Sequence, residues 1–370
     1  MKKFIYIALA IFTLTACSNE DDLSKGASNK KEIGFKTFVG TNTRAGQGFC
    51  SGNMPLSLSV YASVPDGTGY KPYFEDKEFD YDLVNDDGSY RCNDGLYWPD
   101  SNVRFFSVYG ASPHWTSDGS TMEFDFNCRT DVNHQEDLIY AASGDVQGVN
   151  YDGSYYASLF FRHALSQIEF KAKTDDDEFY VEVVGLSINN VMGSGHYVLP
   201  VKTDNYYTAH ATFEGNNYRT TRGTWSNLKN STNYRVDLNP VVHFVKSDGT
   251  VSLTEEDTGT WEADYDGPIT GAGKPKECNF NTLNLIPQDA RSTGKIVLIL
   301  NVWKMADPSK GIQDTDELLP VDEIEFSIPN VWEEGKHYIY TLVVHGDDEK
   351  IRFSIDVDDY YIDSNEVLTY

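Results

Sequence analysis

Apolar and polar residues alternate along many short segments of this chain, and this period of two constrains its fold more than any other feature. Ile33, Phe35 and Thr37 share one face of the segment 32–39, and the segment 56–62 alternates in the same way. Such alternation is typical of half-buried strands, and no long segment shows the 3.6-residue period of a helix. Asn, Asp and Gly crowd the gaps between segments, as they do in turns. The pattern predicts an all-β protein.

The composition and the length agree with this prediction. Aromatic residues make up 14% of the chain, with 24 Tyr and 20 Phe, and these residue types suit pleated sheets. A chain of 370 residues has room for two domains, and its strand-like segments form an earlier and a later group. We therefore predict two β-sandwiches in series, an N-terminal one over 32–165 and a C-terminal one over 166–370.

The first 22 residues indicate export. Lys2 and Lys3 precede an apolar run over 4–12, followed by Leu14-Thr15-Ala16-Cys17 and a polar acidic stretch. This order is typical of a secretory signal, and the run is shorter than the roughly 20 apolar residues that a membrane-spanning helix needs. The ending at Cys17 resembles a bacterial lipobox, in which the signal is removed before the cysteine and fatty chains such as palmitate are attached. We predict a signal peptide over 1–16 and a flexible tether over 17–31; the alternative is an ordinary secretory signal.

The charge excludes one class of partner. The formal net charge is -27 at pH 7. A chain this acidic repels phosphate backbones, so nucleic acid is not expected as a partner. A basic membrane-binding surface is excluded for the same reason, and contact with the outer membrane is expected through lipid alone.

Residues that could carry chemistry form no recognisable constellation. The sequence has no nucleophile elbow, zinc-protease motif or phosphate-binding loop, and its histidines lack partners at metal-ligand spacing. We expect no catalytic residue, no metal site and no cofactor. Four cysteines follow Cys17, with no C-x-x-C spacing among them: Cys50, Cys92, Cys128 and Cys278. They could form up to two disulfides or remain buried thiols, and the sequence leaves both possibilities open.

Four segments in a fixed order carry a family resemblance. They are Tyr97-Trp98-Pro99 followed by 103–109, then 160–168 with His163-Ala164-Leu165-Ser166, then Ile286-Pro287-Gln288, and finally 332–340 with Trp332, Gly335, Lys336, Tyr338 and Tyr340. This ordered set, following a lipobox, resembles the fimbrillin-like lipoproteins of Bacteroidetes, the subunits of type V pili. The resemblance covers nearly the whole mature chain. No single motif in it is specific.

The resemblance implies two tandem transthyretin-like (Ig-like) β-sandwiches and a structural or adhesive role without enzymatic activity. It also implies that a trypsin-like protease cuts the loop after the first strand, and Arg44-Ala45 is the expected site. The displaced first strand would carry Ile33, Phe35, Thr37 and Val39. Its loss would open a groove for a strand of another pilus subunit, and the expected donor is the C-terminal segment with Ile351, Phe353, Ile355 and Val357. An ordinary last strand would show the same alternation, and Arg44 could be a plain loop residue.

The expected location is the outer face of the outer membrane as a lipoprotein, and the pilus after processing. The alternative function is that of a monomeric lipid-anchored surface protein that binds a glycan or a host protein. Stalk, tip and anchor roles in a pilus are equally compatible with the sequence.

Overall fold

The computed structural model describes residues 31–39, 55–83, 89–151, 154–203, 222–236, 238, 241–254, 283–319, 323–346 and 351–361, the last of these by their backbone alone. These residues form no α-helix, only three single 3-10 turns at Val132–His134, Lys246–Asp248 and Pro308–Lys310. The prediction of an all-β fold is confirmed. In the described part of the chain no helix has the length and apolar character needed to cross a membrane.

The described residues form 21 strands, which in chain order are β1 (Gly34–Val39), β2 (Ser57–Asp66), β3 (Gly69–Tyr81), β4 (Ser89–Arg91), β5 (Arg104–Tyr109), β6 (His114–Trp115), β7 (Met122–Asn127), β8 (Ile139–Ala142), β9 (Val149–Tyr151), β10 (Ser154–His163), β11 (Ser166–Thr174), β12 (Phe179–Val198), β13 (Thr224–Val236), β14 (Val242–Phe244), β15 (Val251–Ser252), β16 (Leu283–Leu285), β17 (Lys295–Lys304), β18 (Glu317–Leu319), β19 (Ile324–Ser327), β20 (Lys336–Gly346) and β21 (Ile351–Tyr361).

The first sheet closes on itself. Its order is β1-β4-β3-β2-β5-β8-β10-β9, and β1 also pairs with β10, so that seven of the strands form a ring. The alternation seen in the sequence explains the inside of the ring, because Leu58, Val60 and Ala62 of β2 are all buried on one side. β1 is the strand that closes the ring.

Two further sheets, built mostly from strands that follow residue 165, pack face to face. One has the order β15-β11-β20-β21, with β16 also paired to β11. The other follows β18-β17-β12-β7-β6, with β13 and β14 paired to β12 and β19 paired to β17. Ile168 and Tyr340 from the first of these sheets share a buried cluster with Val181 and Leu300 from the second. This cluster is the core of a β-sandwich.

β6 and β7 precede the predicted domain boundary at 165/166 in the sequence but pair within the sheet of β12. A third buried cluster connects the ring to the sandwich, and it contains Phe106 and Tyr140 from the ring strands together with Phe124, Tyr197 and Ile286. The ring and the sandwich therefore share a continuous apolar junction. The boundaries 32–165 and 166–370 stay a prediction.

Candidate assembly site

β1 lies between two strands that are distant from it in sequence. It pairs in parallel with β10 along all six of its residues, from Gly34 opposite Tyr156 to Val39 opposite Phe161. On its other side it pairs antiparallel with β4 at three positions. A strand that is hydrogen-bonded on both edges leaves two unpaired edges when it departs, and such edges accept another strand.

The side chains of β1 that face the interior fill part of the ring core. Phe35 is fully buried, and its ring centroid lies 4.7 Å from that of Phe79 and 4.8 Å from that of Phe105, both in edge-to-face geometry. Ile33 is also buried, and Thr37 is half-buried. Edge-to-face packing of aromatic rings stabilises a core beyond the burial of area alone. β1 therefore contributes to the core and is not merely an edge strand.

The outer face of β1 is covered by one aromatic ring. A Cβ atom at Gly34 would come within 2.7 Å of two ring carbons of Tyr156, so a glycine permits this close approach. The cations of Lys36 and Arg91 lie 5.4 Å and 5.3 Å from the centroid of the same ring, and Arg91 also donates a hydrogen bond to the Tyr156 hydroxyl. Tyr156 thus holds the outer face of the strand against β10.

Two backbone hydrogen bonds hold the residues that lead into β1, and the sequence pattern did not predict them. The amide of Ile33 donates to the carbonyl of Leu96 at 2.9 Å, and the amide of Trp98 donates to the carbonyl of Lys31 at 2.9 Å. The Lys31 ammonium lies 3.8 Å from the centroid of the Tyr155 ring. These contacts give the Tyr97-Trp98-Pro99 motif a structural role, which is to anchor the residues that lead into β1.

The predicted processing and lipidation residues lie outside the described residues: Arg44, Ala45 and Cys17. β1 ends at Val39, so the predicted cut at Arg44 follows the strand by a few residues in sequence. Of the predicted displaced strand, Ile33 and Phe35 are placed in the core, and Val39 is placed by its backbone opposite Phe161.

The predicted donor segment forms the final described strand. β21, which contains Ile351, Phe353, Ile355 and Val357, pairs antiparallel with β20 at 11 positions, from Lys336 opposite Tyr361 to Gly346 opposite Ile351. Within the described part of the chain, β21 stands at the end of its sheet and pairs with β20 only. A strand with one paired edge has its other edge open to a further strand.

Two of the other family motifs meet at the junction between the ring and the sandwich. The amide of Gly335 donates to the carbonyl of Leu165 at 3.1 Å, and the Ser166 hydroxyl donates to the carbonyl of Glu333 at 2.8 Å. His163 Nδ1 lies 2.7 Å from the carboxylate of Asp137, with both side chains buried. The motifs around His163 and Gly335 are therefore structural.

A buried carboxylate also bridges the junction. The hydroxyl of Tyr140, on the ring strand β8, donates to Glu334 of the sandwich. Burial and the charge of Glu334 hold the pKa values of Tyr140 and Tyr197 well above their ordinary value. Both phenols therefore remain protonated and able to donate hydrogen bonds at neutral pH.

Two of the four candidate disulfide cysteines are described, and both are free thiols: Cys92 is half-buried and Cys128 is buried. Burial raises the pKa of the Cys128 thiol to about 12. The Cys128 thiol donates a hydrogen bond to the carbonyl oxygen of Asn284, with 2.8 Å between Sγ and the oxygen. Cys50 and Cys278 lie outside the described residues. The described residues hold no group of three or more His, Cys, Asp or Glu side chains that could bind a metal ion.

Comparison with known proteins identifies the family. A family model described as fimbrillin-like matches residues 43–359. The chain belongs to the fimbrillin-like family. A second model, for the lipid attachment site of prokaryotic membrane lipoproteins, matches residues 1–18. The predicted family and the lipoprotein prediction are confirmed, and the fimbrillin-like family is structural and non-enzymatic.

A solved structure shows the same fold. This fimbrillin-like chain is similar to a fimbrial protein from Bacteroides vulgatus, with 13% sequence identity and a TM-score of 0.55 over 89% of this chain and 99% of that chain. The fimbrial anchor protein Mfa2 from Porphyromonas gingivalis also matches, with 13% identity and a TM-score of 0.30 over 90% of this chain and 99% of that chain, a score too low to carry an argument. A search of curated proteins finds no match.

Proposed function

We propose that this fimbrillin-like lipoprotein is a structural or adhesive subunit of a cell-surface pilus, assembled by protease-triggered strand exchange. The position of β1 carries the proposal. It supplies buried side chains to the ring core and is hydrogen-bonded to β4 and β10, yet it joins the rest of the chain through the segment that contains Arg44. A cut there leaves β1 attached by non-covalent contacts alone.

Loss of β1 would expose the edges of β4 and β10 together with the sites of Ile33 and Phe35. Exposed edges and apolar sites of this kind are covered by an added strand, with backbone hydrogen bonds giving affinity and alternate side chains giving register. We assign the role of the added strand to the C-terminal strand β21 of another subunit. We assign both halves of the chain to the transthyretin-like sandwich type, with β1 closing the first half. The partners are other pilus subunits and a trypsin-like protease.

The test is digestion of the soluble chain from residue 18 onward with a trypsin-like protease. We expect a product that begins at Ala45, followed by a ladder of oligomers on a denaturant-free gel and on size-exclusion chromatography. Arg44→Ala should remove both. Arg44→Lys is the matched control, because trypsin also cuts after lysine, and it should retain both.

A cut at Arg44 that leaves a stable monomer would refute strand exchange and favour the lipid-anchored surface binder of glycans or host proteins. An uncut Arg44 would refute processing.

We further propose that Cys17 carries the lipid and that the lipoprotein is displayed on the outer face of the outer membrane until the cut releases it into the pilus. Cys17→Ser should abolish labelling with a palmitate analogue and remove the protein from the cell surface, as measured by surface proteolysis of intact cells. The Cys128→Ser variant is the control and should remain labelled and displayed. Unchanged display of Cys17→Ser would contradict the proposal.

A further inference from the structure

Two aromatic rings lie side by side on the outer face of the sandwich. Tyr180 of β12 and Trp303 of β17 are register partners. Their neighbours Val181 and Val302 are fully buried in the sandwich core, and successive side chains of a strand point to opposite faces. The two rings therefore lie on the face turned away from that core, where both are half-buried. Their centroids are 5.5 Å apart, with an interplanar angle of 65°.

Further aromatic and apolar side chains extend this pair across four strands. Leu318 of β18 lies opposite Trp303 and is 54% exposed. On the other side, the ring of His243 from β14 stacks on that of Tyr180, with 5.6 Å between the centroids. Ile299 of β17 is 45% exposed. We call this set the aromatic face. Exposed apolar patches with tryptophan and tyrosine near their centre are typical of surfaces that bind another protein.

The aromatic face is a local feature of the sheet. Further along β12, the side chains next to the buried Ile188 are those of Ser187 and Asn189, both polar. Near the end of the same strand, Nδ1 of His196 lies 3.1 Å from the carboxylate of Asp125 on β7. Polar side chains are what the solvated side of an antiparallel sheet usually presents. The departure from this rule is concentrated around Trp303.

One carboxylate lies within the aromatic face. Glu182 follows Tyr180 by two residues on the same side of β12, and it lies opposite both Asn301 of β17 and His243 of β14. The side-chain amide of Asn301 donates to Oε2 of Glu182 at 2.7 Å and so orients the carboxylate. Burial and, to a smaller extent, the charge of Glu182 raise the pKa of Tyr180. Within the described part of the chain Glu182 makes no ion pair, so its charge can attract a cation from outside.

We propose that the aromatic face binds an arginine-bearing apolar segment of another protein, with the guanidinium held between the Trp303 ring and the Glu182 carboxylate. These two residues occupy diagonal positions on neighbouring strands, where long side chains lie within mutual reach. A guanidinium is planar, so it stacks on an indole and also pairs with a carboxylate through its N–H groups. Apolar side chains on either side of the arginine would cover Leu318 and Ile299.

The charge of the chain favours this partner over others. A formal net charge of -27 repels a second copy of the chain and repels anionic ligands, whereas it attracts a basic segment. A neutral glycan would stack on the rings without using the charge of Glu182. The inference goes beyond the proposed pilus role, because the aromatic face belongs to the sandwich and includes neither β1 nor the cut at Arg44.

The test measures binding of the soluble chain from residue 18 onward to two immobilised capped peptides by biolayer interferometry. One peptide is leucine-arginine-leucine, and the other carries citrulline, which has nearly the same shape as arginine but no charge. We expect the arginine peptide to bind about fivefold more tightly, as an exposed ion pair and a cation–π contact together predict. Glu182→Gln should remove this preference, and Trp303→Ala should weaken the binding of both peptides.

The matched control is Glu78→Gln, which removes one carboxylate from an exposed position on β3 of the ring and should keep the arginine preference. Urea unfolding of each variant, with a midpoint close to that of the wild type, establishes that the fold is intact. Equal binding of the two peptides by the wild type would overturn the proposal. An arginine preference that Glu78→Gln lowers as much as Glu182→Gln would overturn it too, because the overall charge would then be the cause.

The other occupants give different results. Binding of maltotetraose that Trp303→Ala abolishes, without any arginine preference, would assign the face to a glycan. Self-association that Leu318→Lys abolishes would assign it to a second copy of the chain. Equal acrylamide quenching of the wild type and Trp303→Phe would show that another part of the chain covers the face. Each of these results would overturn the proposal and leave the strand-exchange proposal standing, since cleavage at Arg44 tests that one.

Discussion

Truncation of Phe35 tests directly whether β1 belongs to the ring core. The side chain of Phe35 is fully buried. It makes edge-to-face contacts with the rings of Phe79 and Phe105, at centroid distances of 4.7 Å and 4.8 Å. Phe→Ala substitution in a core costs about 3–5 kcal/mol, and each lost ring pair adds ~0.5–1.5 kcal/mol beyond area, so the upper part of that range applies. We expect Phe35→Ala to lower the free energy of unfolding by about 4–5 kcal/mol.

The assay is urea unfolding of the uncut soluble chain, followed by tryptophan fluorescence. With an m-value near 3 kcal/mol/M, a loss of 4 kcal/mol lowers the midpoint by roughly 1.3 M. Lys36→Ala is the matched control on the outer face, where the lysine lies 5.4 Å from the Tyr156 ring, and it should cost no more than ~1 kcal/mol. A Phe35→Ala midpoint no lower than that of Lys36→Ala would refute the placement of β1.

Three further predictions concern other parts of the molecule. Gly34→Ala should lower the free energy of unfolding by about 1–3 kcal/mol, measured as a lower thermal midpoint, because the new Cβ meets the Tyr156 ring at 2.7 Å. Tyr140→Phe should cost about 1–3 kcal/mol in urea unfolding, since the buried carboxylate of Glu334 loses a donor. Burial raises the pKa of the Cys128 thiol to about 12, so this thiol should resist iodoacetamide in the native chain. Because the unfolded chain loses the thiol proton from about pH 8.5 while the folded chain keeps it until about pH 12, the free energy of unfolding should fall as pH rises between these values.

Each of these predictions has its own control. The double variant Gly34→Ala/Tyr156→Ala should lose less than the sum of the single losses, and additive losses would contradict the close approach. Tyr109→Phe is the control and should cost less than Tyr140→Phe, because the side chain of Tyr109 is exposed and that of Tyr140 is buried. Cys92, which is half-buried, should be alkylated before Cys128, and the reverse order would contradict the burial of Cys128.

Short alternating segments were predictable from the sequence because their faces differ in polarity. The segment 56–62 is observed within β2 (Ser57–Asp66), and the segment 32–39 as β1 (Gly34–Val39). The interior positions of β1 were predictable for the same reason. β13 (Thr224–Val236) was not expected, since this strand is largely polar and mostly exposed, and only its pairing with β12 makes it a strand.

The longest strand is continuous where the sequence pattern predicts two strands. The pattern predicts strands over 180–186 and 195–199, but β12 runs without a break from Phe179 to Val198. Gly193 and Gly195 lie within this strand. They make room for neighbouring side chains, since a Cβ at Gly193 would lie 2.5 Å from the Thr232 hydroxyl and one at Gly195 would lie 2.7 Å from Leu228. The closure of the ring could not be predicted either, because it depends on the pairing of β1 with β10, which lies far along the chain.

The parallel pairing of β1 with β10 also determines the order in which the chain can fold. The paired residues are about 120 positions apart, and contacts of such long range form late because the intervening loop must first be closed. During export β1 therefore emerges well before β10, whereas its antiparallel partner β4 follows it by fewer than 60 positions. The ring closes only when β10 has emerged and pairs with β1.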